Sequence, residues 1–245
     1  MLDVHPPPHA AATWKDFFIH IATICVGLLI AIGLEQTVEA LHHRHQRLHL
    51  EEQMRTESEC NLGLVKAQLL YATQMVNYLD KYQQAVEAAP LSGGLVTITQ
   101  PVNDVTLPAA TGGMLVSPSR GTWTVAKSAS TVALLDPEKA KVFARLDLDA
   151  EWEQTSESNF GTKASLLKSS QIRAHLPPNA TTPVRIAAPE RDNLLFAASE
   201  MREAMADFQF RLAILQGALE AVTHNISSLE EMYPYQQRTI SSLAK

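Results

Sequence analysis

Cysteine is almost absent: Cys25 and Cys60 are the only two in 245 residues. The first lies inside an apolar run and the second inside a helical pattern, so one chain builds neither a disulfide framework nor a thiolate metal site. Cys60 keeps the option of pairing with its copy in a dimer. Basic clusters are missing as well. The net charge is -6, and Lys and Arg gather nowhere beyond Arg44 and Arg47, whereas phosphate binding needs a concentrated positive patch; nucleic acid is not an expected partner. Aromatic residues make up only 6%, and Ala, Leu, Glu and Gln abound, a composition that disfavours a β-rich fold and leans helical. No Gly-rich phosphate loop, G-x-S-x-G, H-E-x-x-H or CxxC pair occurs. The chain therefore reads as a non-enzyme, with no catalytic residue and no cofactor expected.

What the sequence does have is a long apolar run. Residues 17–34 are almost all apolar, interrupted mainly by His20 and Thr23, and at roughly 1.5 Å per residue they cover about 27 Å, just enough to cross a bilayer core. Trp14, Lys15 and Asp16 mark one boundary and Glu35 the other. A cleaved signal peptide fits less well, because the run is long, no small-x-small site follows it, and the helical pattern continues through Glu35 and Glu39. Pro6, Pro7 and Pro8 cannot join a helix, and Thr13 followed by Asp16 resembles a capping box, so a helix start at Trp14 is predicted. Residues 1–13 are expected to form a disordered tail and residues 14–41 a transmembrane helix in contact with lipid.

The polar and small residues of that helix are not scattered. At 100° per residue His20, Thr23, Gly27, Ala31 and Glu35 share one stripe with Asp16, while Ile19, Val26 and Ile30 lie off it. Small residues four apart let another backbone approach closely, and packing with shared polar contacts is the main attraction between helices in lipid. The stripe is expected to face protein. His20 is an ionisable group near the boundary, within reach of Asp16 or the headgroups, and is assigned a polar contact rather than proton relay or ligation.

Beyond the membrane, residues 35–89 contain no Pro and one Gly, Gly63, which predicts a long stalk helix with a candidate break near Asn61. Leu62, Val65, Leu69, Ala72, Val76, Leu79, Gln83 and Val86 alternate spacings of three and four, a heptad seam that makes residues 42–89 stalk and first bundle helix. Residues 90–121 change character: Gly93-Gly94, Pro101, Pro108, Gly112-Gly113 and Pro118 punctuate β-branched runs such as Val96-Thr97-Ile98-Thr99, which reads as a loop with one small hairpin, long enough to be a binding element or a contact to a partner. Residues 122–233 are expected to form a helical bundle. A short helix runs from Thr122 to Leu135, and Asp136-Pro137-Glu138 then supplies a cap, a first-turn proline and an acidic first turn. The following helix carries Phe143, Leu146, Ala150, Phe160, Ala164 and Leu167, with Gly161 and residues 154–159 as a candidate break. Pro177-Pro178 end it, and residues 179–188 read as a loop. Last comes Leu194, Ala198, Met201, Met205, Phe208, Leu212, Leu215, Leu219, Val222, Ile226 and Leu229 in a 4-3-4-3 rhythm, stopping before Pro234 and leaving residues 234–245 as a tail. The expected fold is mainly α: a transmembrane helix continuing into a stalk, then an antiparallel helical bundle with a Gly/Pro-rich loop or small β-hairpin inserted.

Two polar clusters invite chemistry. His42, His45 and His49 fall on one helical face with Glu39 and Glu35 just before them, and Glu39-x-x-His42 has the spacing used in carboxylate di-iron bundles, where two such pairs converge. One copy is present, so the ordinary reading is an interfacial polar collar, with Glu39, His42, His45 and His49 as the candidate metal set if an oligomer supplies the second copy. Asp147, Asp149, Glu151 and Glu153 point in divergent directions on a helix and are read as a solvated face. The N-x-[ST] matches at Asn179 and Asn225 carry no weight without a known host, and Asn225 falls within the predicted last helix.

The run Asp16-Phe17-Phe18-Ile19-His20-Ile21-Ala22-Thr23, continuing as Val26-Gly27-Leu28-Leu29-Ile30-Ala31-Ile32-Gly33-Leu34-Glu35-Gln36, resembles the anchor of a group of uncharacterised bacterial single-pass membrane proteins. The resemblance implies a short cytoplasmic N-terminal tail, an anchor in the bacterial inner membrane and a helical domain in the periplasm; it transfers no catalytic residue. Counting Lys15 before the span against Arg44 and Arg47 after it favours the opposite orientation mildly. The leading expectation is a non-catalytic structural or accessory subunit that binds copies of itself or a larger membrane complex. The alternatives are an extracytoplasmic ligand-binding or sensor module and a His/Glu metal-dependent enzyme.

Overall fold

A computed structural model of the chain describes residues 14–105, 115–177 and 182–243. The expected tail at residues 1–13, the Thr13 cap, Pro108, Gly112-Gly113, Pro178 and Asn179 lie outside the described residues. The fold is mainly α. Its elements are α1 (Trp14–Glu87), β1 (Leu91–Ser92), β2 (Leu95–Ile98), α2 (Gly121–Ser128), a 3-10 turn at Thr131–Leu134, α3 (Pro137–Arg173), β3 (Val184–Ala187), α4 (Ala188–Thr223) and α5 (Leu229–Ser242). The chain divides into two compact units, Met1–His49 and Leu50–Lys245.

In the first unit α1 begins at Trp14 and is helical throughout the described residues. It contains a stretch long and apolar enough to cross a membrane, and no residue of that stretch is buried within the protein. Phe17, Leu29 and Leu34 are all exposed, on different faces. Thr23 and Thr37 donate their hydroxyls back to the Ile19 and Gly33 carbonyls at 2.8 and 2.7 Å. Such back-bonding satisfies a polar side chain inside its own helix, as an apolar solvent demands.

The second unit is a bundle of three long helices with short elements packed on it. From Leu50 onward α1 buries Leu50, Met54, Ser58, Asn61, Val65, Gln68, Ala72, Met75, Leu79, Tyr82 and Val86, a 4-3 rhythm with no break at Gly63. The predicted seam shares Val65, Ala72, Leu79 and Val86 with the observed one. The intervening positions are Asn61, Gln68, Met75 and Tyr82, each one residue before the predicted Leu62, Leu69, Val76 and Gln83, which are only partly buried. Side-chain links fix the helix directions. Lys66 meets Glu220, Gln209 meets Thr73, Arg202 meets Asp80 and Arg191 meets the carbonyls of Val86 and Glu87, so α4 runs antiparallel to α1. Lys139 faces Glu51 and Gln171 faces Tyr82, so α3 runs parallel to α1, which the long crossover of residues 88–136 permits.

α3 starts where the sequence signals it. Asp136 caps it by accepting from the Glu138 N–H at 2.9 Å, with Pro137 in the first turn. It stays continuous through Gly161 to Arg173, contrary to the expected break. His175 at φ 49 ends it, with Leu176 N–H donating to the Gln171 carbonyl and His175 N–H to that of Ile172, a Schellman closure. The expected helix at residues 122–135 is shorter: α2 stops at Ser128, and Ser130 at φ 59 turns the chain into the 3-10 segment.

The hairpin expected in residues 90–121 is β1 and β2. Gly93 and Gly94, both at positive φ, make the two-residue turn that pairs Ser92 with Leu95, a backbone that side chains with a Cβ resist. β3 pairs with β2 antiparallel, Val96 opposite Ile186 and Ile98 opposite Val184. Val96, Ile98 and Ile186 are buried. The reading of residues 179–188 as loop is thus corrected: Val184-Arg185-Ile186 alternates as a strand does.

Every rhythmic apolar residue from Leu194 to Ile226 is buried. The helix that carries them nevertheless ends at Thr223. Asn225 at φ 56 and Ile226 N–H donating to the Ala221 carbonyl close it in another Schellman turn, so Asn225 lies at a reversal and not within a helix. The predicted tail at 234–245 is corrected as well. α5 folds back antiparallel onto α4 with Pro234 inside it. Its start is a capping box: Ser228 accepts from Glu231 N–H, and the Glu231 carboxylate accepts from Ser227 N–H at 3.0 Å. Gly217 is where α5 crosses; a Cβ there would lie 2.5 Å from the Gln236 Cα. Thr239 locks the crossing by donating to the Ala213 carbonyl at 2.6 Å.

Candidate functional site

The stripe His20, Thr23, Gly27, Ala31 and Glu35 lies on an exposed face of α1. A Cβ added at Gly27 would meet nothing within 4 Å, so no packing within the chain requires a glycine there. Thr23 spends its hydrogen on Ile19 and retains only acceptor capacity toward a neighbour. Further along the same unit Glu39 lies 4.0 Å from His43, and His42 shares a hydrogen bond with Gln46 at 2.9 Å. His42, His45 and His49 are all exposed. Among the described residues no three His, Cys, Asp or Glu side chains gather to hold a metal ion; Glu39, His42, His45 and His49 are not brought together as a ligand set in one chain.

The acidic run in α3 is where the sequence reading errs most. Glu151 does face outward, while the Asp147 side chain is mostly covered by its partners: Arg120 donates to Asp147 at 2.6 Å and to Glu151 at 3.3 Å, and Lys127 donates to Asp147 at 3.0 Å. Burial opposes ionisation of Asp147, but the two cations outweigh it and hold its carboxyl below the usual range. Asp149 and Glu153, one turn apart on the opposite side, are buried, at 1% and 0% exposure. Asp149 accepts a hydrogen bond from Gln236 of α5 at 2.8 Å and is ion-paired with Arg145 at 2.9 Å. Burial still pushes its pKa up. Neither oxygen of Glu153 has a partner. Desolvation, with the nearby Glu157 charge adding to it, raises the Glu153 carboxyl to about 8, so at neutral pH it is mostly the uncharged acid.

Polar seam residues of α1 have a positional job that the heptad pattern does not reveal. Asn61 donates to the Ser119 carbonyl at 2.8 Å and accepts from the Ser119 N–H at 2.9 Å. Gln68 donates to the Val116 carbonyl at 2.9 Å. Glu57 accepts from the N–H groups of Gly121 and Thr122 at 2.9 and 3.1 Å, capping α2 from another helix. These five hydrogen bonds hold residues 115–122 against the bundle. The space they leave beside Trp123 and Leu219 is only about 20 Å³, room for little more than one water.

A much larger cleft opens toward the other end. It has about 400 Å³ and lies between α1, α3, α4 and the segment after β2. Met75, Tyr78, Leu167, Ile172, Leu176 and Met201 give it apolar walls, and Gln100, Asn103, Lys168 and Gln171 add polar groups. Gln100 is 5% exposed; its amide nitrogen donates to the Pro177 carbonyl at 2.9 Å, and its Oε1 has no partner. Asn103 accepts from Val105 N–H at 3.1 Å, and Gln171 faces the Tyr82 hydroxyl at 3.4 Å. Burial, with Tyr82 beside it, pushes the Tyr78 phenol up to about 12, so it stays protonated at any physiological pH. Sequence reasoning flagged the 90–121 insertion as a binding element or a partner contact but named none of the cleft's polar residues. Gln100 beside Pro101 reads as loop, and nothing in its spacing ties it to α3.

Comparison with protein-family models, with curated proteins and with solved structures finds no match to this chain.

Proposed function

We propose that the chain is a single-pass membrane-anchored structural or accessory subunit, not an enzyme. In this reading residues 14–41 cross a bacterial inner membrane, the N-terminus is cytoplasmic and the helical domain is displayed in the periplasm. The stripe His20, Thr23, Gly27, Ala31 and Glu35 seats against a second copy or a larger membrane complex. The observation that carries the reading is an apolar surface exposed on all sides of α1, followed in the chain by a domain with a buried apolar core of its own. Water does not tolerate so large a greasy surface, whereas lipid solvates it. Gly27 adds to this, since its small size serves nothing inside the chain and close approach of another helix is the common use of such a residue in lipid.

The test replaces Gly27 and Ala31 by Ile together, with Val26→Ile off the stripe as control, and follows what co-purifies after gentle detergent extraction. The double variant loses its partner and the control keeps it. Unchanged assembly in the double variant removes the proposal.

A further inference from the structure

Glu153 is fully buried on α3, and among the described residues neither of its oxygens meets a donor. One side of its surroundings is not helix. Ala150, three residues before it, lines a small cavity together with Pro118 and Ser119, and Glu157, four residues after it, accepts from the Ser117 hydroxyl at 2.9 Å. Ala150, Glu153 and Glu157 share one helical face, so residues 117–119 run over the turn that carries Glu153. That cover is thin. It is irregular backbone in which Val116 is 49% exposed, and it is held by single side chains: Asn61 on Ser119, Gln68 on Val116, and Glu57 on Gly121 and Thr122. Toward α4 the next turn of α3 is closed by Phe208 stacked on Phe160 and by Asp207 on Ser156.

A carboxylate at this position needs water or a cation. The neighbouring cations are engaged elsewhere: Arg145 with Asp149, Arg211 with Asp207, and Arg120 and Lys127 with Asp147. Glu157 on the same helix repels a second charge. From α1 come Gln68, whose unpartnered end is an oxygen, and the Tyr71 phenol, which burial keeps protonated; from α5 comes Gln236, already donating to Asp149. We infer that residues 115–122 form a proton-operated latch: while Glu153 is protonated they stay closed over it, and once it ionises they lift locally to admit water, with the three long helices still packed. A dry carboxylate is far less favourable than the loss of a few hydrogen bonds at the edge of the bundle, which water replaces. Local opening of such a loosely held segment lies well below global unfolding in free energy. The latch belongs to the domain alone and does not depend on the partner proposed for the anchor.

Amide exchange of the full-length protein in lipid nanodiscs tests this, resolved by residue with fragmentation mass spectrometry and corrected for the intrinsic pH dependence of exchange. Ser119, Gly121 and Thr122 report the latch, because their N–H groups are bonded to Asn61 and Glu57. Glu153 titrates near 8 when closed and at the ordinary 4.5 when open, so the closed latch is most stable below 4.5 and weakens as pH rises to 8. Linkage makes the opening constant rise about fiftyfold from pH 6 to pH 8 and at most about double above that. Amides in the middle of α4, such as Leu212, stay protected throughout. Glu153→Gln flattens the profile at the three latch amides, and Glu153→Leu, with no polar atom to bury, does the same should the amide variant not fold. Exchange at Ser119, Gly121 and Thr122 that is constant between pH 6 and pH 8 in the unaltered protein overturns the inference. So does a rise that survives loss of the carboxyl, or one that appears only together with exchange of the α4 amides, since Glu153 would then meet water by global unfolding.

Discussion

Glu153→Gln separates a buried acid from its consequences. Glu153 is fully buried, neither of its oxygens has a partner, and its pKa rises from the ordinary 4.5 to about 8. Between those values the folded state holds a proton that the unfolded chain has released, so folded protein binds more protons and stability falls as pH rises. The loss from pH 5 to pH 8 is on the order of 3–4 kcal/mol. It levels off above pH 8, where both states are ionised, and below about pH 4, where both are protonated. Asp149, also raised by burial, adds a smaller slope of the same sign. Gln has the same shape and no charge, so the variant lacks the Glu153 part of the slope. Near pH 5 the two proteins melt alike; near pH 8 the variant melts higher, by on the order of 10 °C. Helix signal at 222 nm followed on heating, at pH 5, 6.5 and 8, reads this directly. Parallel pH profiles for the two proteins would refute the claim that Glu153 is buried as a neutral acid.

Other changes test the packing. Gly217→Ala places a Cβ 2.5 Å from the Gln236 Cα, so α5 must move; a loss of about 1–3 kcal/mol is expected, with proteolysis cutting earlier in residues 224–242 than in the parent. Glu57→Ala removes the carboxylate that accepts from Gly121 and Thr122 N–H and costs about 1 kcal/mol, seen as a fall of about 2–4 °C in melting temperature. Asn61→Ala releases both hydrogen bonds to Ser119, for about 1–2 kcal/mol; faster amide exchange at Ser119 is the local readout. Asp136→Ala removes the cap of α3 and lowers stability by about 1 kcal/mol in the same melt.

Which parts of this fold the sequence announces follows from what periodicity can see. Leu194 to Val222 repeat so regularly that the face and its burial are legible, and Asp136-Pro137-Glu138 announces α3 by local chemistry alone. The α1 seam is half legible. Val65, Ala72, Leu79 and Val86 are apolar and repeat every seven, but a search for apolar residues passes over Asn61 and Gln68 for Leu62 and Leu69, and the register so set carries Gln83 in place of Tyr82. Those polar positions are buried because they bind segments from far along the chain, at Ser119, Val116 and Gln171, and no local pattern carries that information.

The same reason hides the acids. Asp149 and Glu153 have the composition of a solvated face, and only the return of α5, which brings Gln236 to Asp149, makes the bundle close over that side. α5 itself was obscured by Pro234, whose missing N–H leaves the Glu230 carbonyl without its helical partner. Ser228 to Glu231, a capping box six residues before that proline, was the signal to weigh against it. Strand β3 escaped because four residues between a proline-rich loop and a helix give periodicity too little to act on; its pairing with β2 comes from the fold.

The central claim is that residues 17–34 are solvated by lipid. Membranes from cells making the full-length chain, washed in alkaline carbonate and sedimented, test it most directly. The account predicts that the protein stays in the pellet and is released only by detergent. Recovery of the intact chain in the carbonate supernatant would contradict it.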